Sequence, residues 1–269
     1  MGDIHHPGIV PLRSRVSFIA IERGTLHASV QTLELVRETG TVGIPCGMST
    51  VLFLEPGVTV THAAVKLCAA QGTLLVWVGE AGVHVYSCGR PGGPAGERIL
   101  QQAKRYIVER SRLAVARRFY TRMFGEDPPP SKDIETLRGV EGARVKRWYR
   151  EIAAANNIEW AGRERAPQLL RDALGFATST LYGLSEAVIL GCGFSPSIGF
   201  IHTGDPRSFV FDLADTVKFS TVVPAAFEVY AAGSRDIRSD VRRRCRDLFR
   251  SKRTIEVLFD NLLYALDVL

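Results

Sequence analysis

Residues 89–97, GRPGGPAGE, are mostly glycine and proline, and the pattern of the chain changes at that point. Such a run supplies no core and interrupts helices and sheets alike, so it reads as a linker. Ahead of it, SRVSFIAIE, TLHASV, QTLELV, TVGIP and STVLFLE are short runs rich in Val, Ile, Thr and Phe, set apart by Gly, Pro or charged turns. Their near-period-two alternation predicts a half-buried antiparallel sheet. One helix is expected among the strands: Thr61 caps HAAVKLCAAQ and Gly72 closes it, before TLLVWVG and GVHVYSCG return as strands. Beyond the linker the spacing turns helical. Ile99, Ala103, Tyr106, Leu113, Ala116, Tyr120 and Phe124 recur every three or four residues, predicting one helix over about 97–124. EDPPPSKD ends it, and Ser131 or Asp133 can start the next. Residues 159–175 read as a short polar connection, FATSTLYGLSEAVILGCG as a central buried helix, and Pro224 as a kink or restart. The expected architecture is a two-domain α+β chain. A mainly-β domain with one short helix occupies 1–90, a linker 91–97, and an all-α domain 98–269.

Within the helical half, Gly199–Phe219 concentrates the polar chemistry in an apolar setting. Ser208 can cap a helix from Phe209, on which Asp212 and Asp215 stand at i and i+3 and so point the same way. Their neighbours leave almost no polar face, so both carboxylates should be partly buried. A buried carboxylate is costly unless it is paired, hydrogen-bonded or bound to a metal. His202, in the turn HTGDP, could fold its imidazole back over the helix start. One nitrogen and two oxygen donors make a small hard-cation site lacking at least one ligand, and Glu141 is the best candidate for it. The same residues also have plain readings. Acids near a helix start are favoured by the macrodipole, and a turn histidine is usually only that. Glu141, between Gly139 and Gly142, also reads as an acid at the start of a helix beginning near Val140.

The chain has 269 residues and a net charge of +6. The charge is concentrated: Arg235–Arg253 holds nine basic residues against three aspartates, and Lys104–Arg122 seven against Glu109 alone. Two dense basic stripes are the footprint of phosphate-backbone binding, or else two solvated helix faces. No stretch reads as the roughly 18 apolar residues of a membrane span, and the N-terminus has no secretory h-region. Five scattered cysteines without a CxxC pair argue for reduced thiols in a cytoplasmic protein, against a zinc site or disulfide framework.

LEPGVTVTHAAVKLCAAQGTLLVWVGEAGVHVYSCGRPGG, LRGVEGARV, SFVFDLADTVKFSTVVPAAFE and VRRRCRDLFR, in that order and spacing, resemble the CRISPR-associated integrase of spacer acquisition in its subtype I-E form. The resemblance runs from about residue 10 to the C-terminus. It implies a metal site on Glu141, His202 and Asp215, supported by Asp212, holding Mg2+ or Mn2+. It also implies a homodimer formed through the β domain and a small ferredoxin-like partner subunit. The implied activity is insertion of the 3′ ends of a short duplex, the prespacer, at the ends of a CRISPR repeat by transesterification. Arg138 and Lys218 beside the ligands are candidates for the scissile phosphate. Lys104, Arg105, Arg242, Arg243 and Arg246 are candidates for the DNA backbone. No Ser/His/Asp or Cys/His nucleophile motif competes, so no covalent protein–DNA intermediate is expected. The chain departs from the family pattern at Asp205, where a basic residue is frequent, at Phe211 in place of a tyrosine, and at Thr59 in place of an arginine. The alternatives are a metal-dependent nuclease acting on branched DNA, and a non-catalytic DNA-binding scaffold with a degenerate site.

Overall fold

The computed structural model describes residues 19–30, 32–49, 51–78, 85–88, 97–130 and 133–267. The chain divides into two compact units, Met1–Pro94 and Ala95–Leu269. Of the expected linker, only Glu97 lies among the described residues.

The first unit holds two four-stranded sheets. In one, β3 (Thr32–Arg37) pairs antiparallel with both β2 (Gly24–Ser29) and β4 (Gly40–Ile44), and β2 pairs parallel with β6 (Val58–Val60). In the other, β5 (Val51–Leu54) runs parallel to both β1 (Ile19–Ile21) and β7 (Leu74–Val78), and β8 (Val85–Cys88) closes the edge antiparallel to β7. The expectation of an antiparallel sheet therefore holds only for the β2–β3–β4 meander and the β7–β8 pair. The physical reason is visible in the side chains: VLFL of β5 is buried at every position, the continuous apolar run of a strand covered on both faces. The short strand β6 escaped the sequence pattern. The parts of the first and seventh expected strands at residues 14–18 and 82–84 lie outside the described residues.

Helix α1 (His62–Gln71) forms as its caps predict. Thr61 Oγ1 accepts from Ala64 N at 3.3 Å, and Gly72 ends the helix at φ 67°, a left-handed geometry that glycine adopts without penalty. Ala64 and Cys68, one turn apart, face the core of Ile21, Leu26, Leu33, Leu35, Leu52, Leu54 and Leu75. Cys46 and Cys68 meet there, Sγ to Sγ 3.5 Å, and both are thiols outside any disulfide, as are the buried Cys192 and Cys245. No spacing rule would have paired Cys46 with Cys68.

The second unit is helical among its described residues. The expected helix over 97–124 is two, α2 (Glu97–Ile107) and α3 (Glu109–Phe124), because Val108 adopts extended backbone at ψ 106°. After the prolines, Asp133 rather than Ser131 caps α4 (Ile134–Ala155), its carboxylate accepting from Thr136 N at 2.8 Å. Helix α5 (Gln168–Gly191) is the centre, packed by α6 (Ser208–Lys218), α7 (Val222–Ala231), α8 (Ile237–Ser251) and α9 (Thr254–Leu266). By length and composition α5 is apolar enough to cross a membrane, contrary to the sequence expectation, and it is mostly buried inside the unit. Pro224 sits in the first turn of α7, where its missing N–H costs nothing. Arg253, at φ 50°, separates α8 from α9.

One aromatic seam fixes the helices that matter below. Tyr120 of α3 stacks on Phe124, Phe124 meets Trp148 of α4, and Trp148 meets Phe219 at the end of α6, with centroids 5.3, 6.1 and 5.0 Å apart. Tyr149 of α4 continues the seam to Trp160, which reaches Phe227 of α7. Such pairs contribute about 0.5–1.5 kcal/mol each beyond their buried area. They tie α4 to α3, to the end of α6 and to α7.

Candidate active site

Four elements deliver the site: α3, α4, the turn before α6, and α6 itself. Gly199 opens the turn in a space only glycine fits, since a Cβ there would stand 2.4 Å from the His202 carbonyl oxygen and 2.7 Å from the Ser208 backbone. Helix α6 begins at Ser208, one residue earlier than the sequence predicts, and Ser208 does not cap it. Its hydroxyl instead donates to the Asp205 carbonyl at 2.7 Å and accepts from Asp205 N at 3.1 Å, closing the HTGDP turn on itself.

Asp212 is the keystone of that turn. It is buried, and its carboxylate accepts from the backbone N–H of Phe200 (2.5 Å), Ile201 (3.1 Å) and His202 (2.9 Å). It also holds His202 Nδ1 at 2.9 Å. An ionised carboxylate is acceptor only, so Nδ1 carries the proton and Nε2 of the neutral ring keeps its lone pair. Asp212 is therefore saturated by its own turn, and its partners explain why an acid is tolerated on so apolar a helix. Burial alone would push the His202 imidazole down. The Asp212 hydrogen bond, with the charges of Asp212, Asp215 and Glu141, reverses this and leaves it above its ordinary value.

Asp215, three residues on, points the same way and is half-buried. Lys218 Nζ lies 3.0 Å from its Oδ1, with the two side chains only 16% and 14% exposed. Burial opposes the Lys218 charge, yet Asp215 and the ring oxygens of Tyr182 and Tyr149 hold its pKa well above the lysine range, so it is permanently cationic. Asp215 also borders a cavity of about 330 Å3 lined by Met123, Trp148 and Phe219 among others.

Glu141 comes from the middle of α4, seven residues past the first helical position, so it is not the helix-start acid of the plain reading. Gly139 and Gly142 flank it with open space where a Cβ would be. Its Oε2 accepts from the hydroxyl of Tyr120 at 2.8 Å. Burial, and next the charge of Asp215, raise its pKa, while the Tyr120 bond, His202 and Lys218 pull the other way. Glu141, His202, Asp215 and Lys218 thus lie within electrostatic reach of one another.

The donor types fit a hard divalent cation: one imidazole nitrogen with its tautomer fixed, and two carboxylates, one of them held against its preference for a proton. The donors are not gathered into a closed cage. Among the described residues, no group of three His, Cys, Asp or Glu side chains stands ready to hold a metal ion. Lys218 supplies the countercharge to Asp215, and Tyr120 tethers Glu141.

The basic candidates separate by surroundings. Arg138 is exposed beside Tyr120, whose electrostatics it reaches. Lys104 is exposed and Arg105 half-buried, whereas Arg112, Arg117 and Arg118 are turned onto backbone carbonyls of Phe200, Pro129 and Ala265. In α8, Arg243 and Arg246 are exposed but paired with Asp240 and Asp247 at 3.4 and 3.3 Å. Arg242 is buried at 9% exposure, unlike its exposed neighbour Arg243. Near the turn, Arg207 lies 3.6 Å from Asp205 and its guanidinium 5.2 Å over Phe211, which packs against Tyr182 and His202. Sequence reasoning singled out neither Tyr120 nor Tyr182. A phenol at a core helix position gives no signal until its partner is in place.

The family model for the CRISPR associated protein Cas1 matches residues 18–126 and 121–244. The chain is 44% identical over 256 residues to the CRISPR-associated endonuclease Cas1 of Escherichia coli (strain K12), covering 93% of this chain and 84% of the relative. It is 42% identical over 253 residues to the protein of the same name from Geobacter sulfurreducens, covering 91% and 83%. Among solved structures, a TtCas1–DNA complex superposes with a TM-score of 0.86 at 33% identity over 94% of this chain and 92% of that one. A casposase bound to its integration product shares the fold at a TM-score of 0.70 and 12% identity, covering 93% and 90%. The chain belongs to the CRISPR-associated Cas1 family.

Proposed function

We propose that this protein is a divalent-metal-dependent DNA integrase and endonuclease of CRISPR adaptation. It inserts the 3′ ends of short prespacer duplexes into a CRISPR repeat by transesterification. The observation that supports the reading is that Glu141, His202 and Asp215, from three separate segments, lie within electrostatic reach of one another, with Asp212 bonded to His202 Nδ1 from behind. The relatives' name, endonuclease, and the DNA held by the similar TtCas1 support it.

Glu141, His202 Nε2 and Asp215 are the residues that would hold Mg2+ or Mn2+, the imidazole suiting Mn2+ somewhat better. The bound ion would neutralise charge on the transferring phosphate and acidify the attacking 3′-hydroxyl. Around it the chain's own groups orient and exclude. Asp212 holds the turn and the imidazole plane. Lys218 keeps a fixed positive charge beside Asp215. Arg138 stands exposed on the α4 face that carries Glu141, where an incoming phosphate would pass. Open space at Gly139 and Gly142 lets a nucleic-acid backbone approach the carboxylate closely. Lys104, Arg105, Arg243 and Arg246 contribute salt-sensitive, sequence-independent attraction. The β unit of residues 1–90 would serve homodimerisation, 98–269 catalysis, and a small ferredoxin-like subunit would complete the assembly. The DNA substrate places the work in the cytoplasm.

The test combines the purified protein, the partner subunit, Mn2+, a labelled duplex with free 3′-hydroxyls and a supercoiled plasmid bearing the repeat. Joining by the wild type that vanishes in His202→Ala and Asp215→Ala, with duplex binding retained, is the expected result. Equal joining by both variants would remove the metal site, and binding without any joining would leave a scaffold.

A further inference from the structure

Tyr120 is the one group among the described residues that hydrogen-bonds the Glu141 carboxylate, and nothing in the reaction itself requires a phenol there. Its ring is 1% exposed, stacked on Phe124 at 5.3 Å and 24°, so its position is set by packing. Phe124 is held in turn: the Arg144 guanidinium lies 4.2 Å over its ring while pairing with Glu126 at 2.6 Å. Arg144 is one turn beyond Glu141 on α4, so the same helix that presents the carboxylate clamps the ring beneath the phenol. The Tyr120 hydroxyl, held in place by that packing, donates to Glu141 Oε2 at 2.8 Å.

We infer that Tyr120 is a positioning residue of the candidate metal centre: its hydroxyl fixes Oε2 of Glu141 and so aims the other carboxylate oxygen toward His202 and Asp215. Glutamate has three rotatable bonds, and Glu141 stands between two glycines that offer no side chain to restrain it. Without the phenol nothing among the described residues orients the carboxylate. Partners behind a metal ligand commonly set affinity by about 10- to 100-fold. The inference rests on the metal-site reading above, and the test separates the two.

Mn2+ binding to the full-length, DNA-free protein is titrated by electron paramagnetic resonance of the free ion, for wild type, Tyr120→Phe and Glu141→Gln, with thermal unfolding in chelator alongside. Tyr120→Phe keeps the ring stack and should unfold within a few degrees of wild type yet bind Mn2+ about 10-fold more weakly. Glu141→Gln should lose the site. Wild-type Mn2+ affinity in Tyr120→Phe, with Glu141→Gln defective, overturns the positioning role and leaves the metal site standing. Unchanged affinity in both variants overturns the metal site itself. Weakened binding in Tyr120→Phe that tracks a large loss of thermal stability makes the phenol structural and also overturns the inference.

Discussion

Removing the Asp212 carboxylate should unfold the turn before it disables the chemistry. In Asp212→Ala three backbone donors, those of Phe200 and Ile201 buried and that of His202 part-buried, lose their acceptor, and His202 Nδ1 loses its partner. Bonds to a charged acceptor contribute about 1.5–3 kcal/mol each, and a stranded buried donor costs about 1–3 kcal/mol. The losses do not add fully. The His202 side chain is 30% exposed, so water can satisfy that end of the turn. Phe200 and Ile201 are 0% and 6% exposed as whole residues, so their amides stay dry. A total near 3–5 kcal/mol follows, at the top of the range for one substitution. For a unit of this size that lowers Tm by roughly 6–20 °C. Asp212→Asn keeps an acceptor oxygen but turns an NH2 toward donors, and should fall between. Differential scanning calorimetry in chelator measures the effect without any metal contribution. A metal-free Asp212→Ala protein melting within about 2 °C of wild type would refute the scaffold role and return Asp212 to the chemistry.

Gly199→Ala should destabilise by several kcal/mol and disturb His202, because its Cβ meets backbone that cannot yield, as urea denaturation would read. Gly139→Ala and Gly142→Ala, mid-helix with open space around them, should instead stabilise by about 0.5–1 kcal/mol each in the same assay, while lowering DNA joining if a phosphate passes there. His202 gives opposite pH slopes. Its pKa is raised in the fold, so its contribution to metal-free stability is full below the unfolded value of 6.5 and is lost as pH rises through the folded one. Mn2+ affinity needs the neutral ring and falls as pH drops through the same folded pKa, so calorimetry and metal titration between about pH 5.5 and 8.5 should trend oppositely. Replacing Lys104 by Gln should reduce the salt slope of duplex binding by about one unit. Arg242→Gln should leave that slope nearly unchanged and lower Tm, since Arg242 is buried.

Much of this protein is local, and what is local was legible. The caps Thr61, Gly72 and Asp133 announce helix ends because their geometry involves residues three or four apart. Asp212 and Asp215 share a face because three residues are most of a helical turn. Family motifs carried Glu141 and His202 alongside them. The tertiary structure decided what depends on residues far apart in the chain. It made β1–β5–β7 parallel, because strand direction follows the crossover and burial on both faces, not alternation. It turned Ser208 from cap to clasp, since Asp205 competes for the hydroxyl. It split the two aspartates into different tasks, as only the fold brings three amides onto Asp212 and leaves Asp215 to Lys218. It put Arg242 inside and Arg243 outside, one residue apart on the same helix. And it set Tyr120 against Glu141, 21 residues away, through a ring stack that no local pattern encodes. Hydrogen bonds and ion pairs are chosen by proximity in space. The sequence names the donors and acceptors, and packing settles which of them meet.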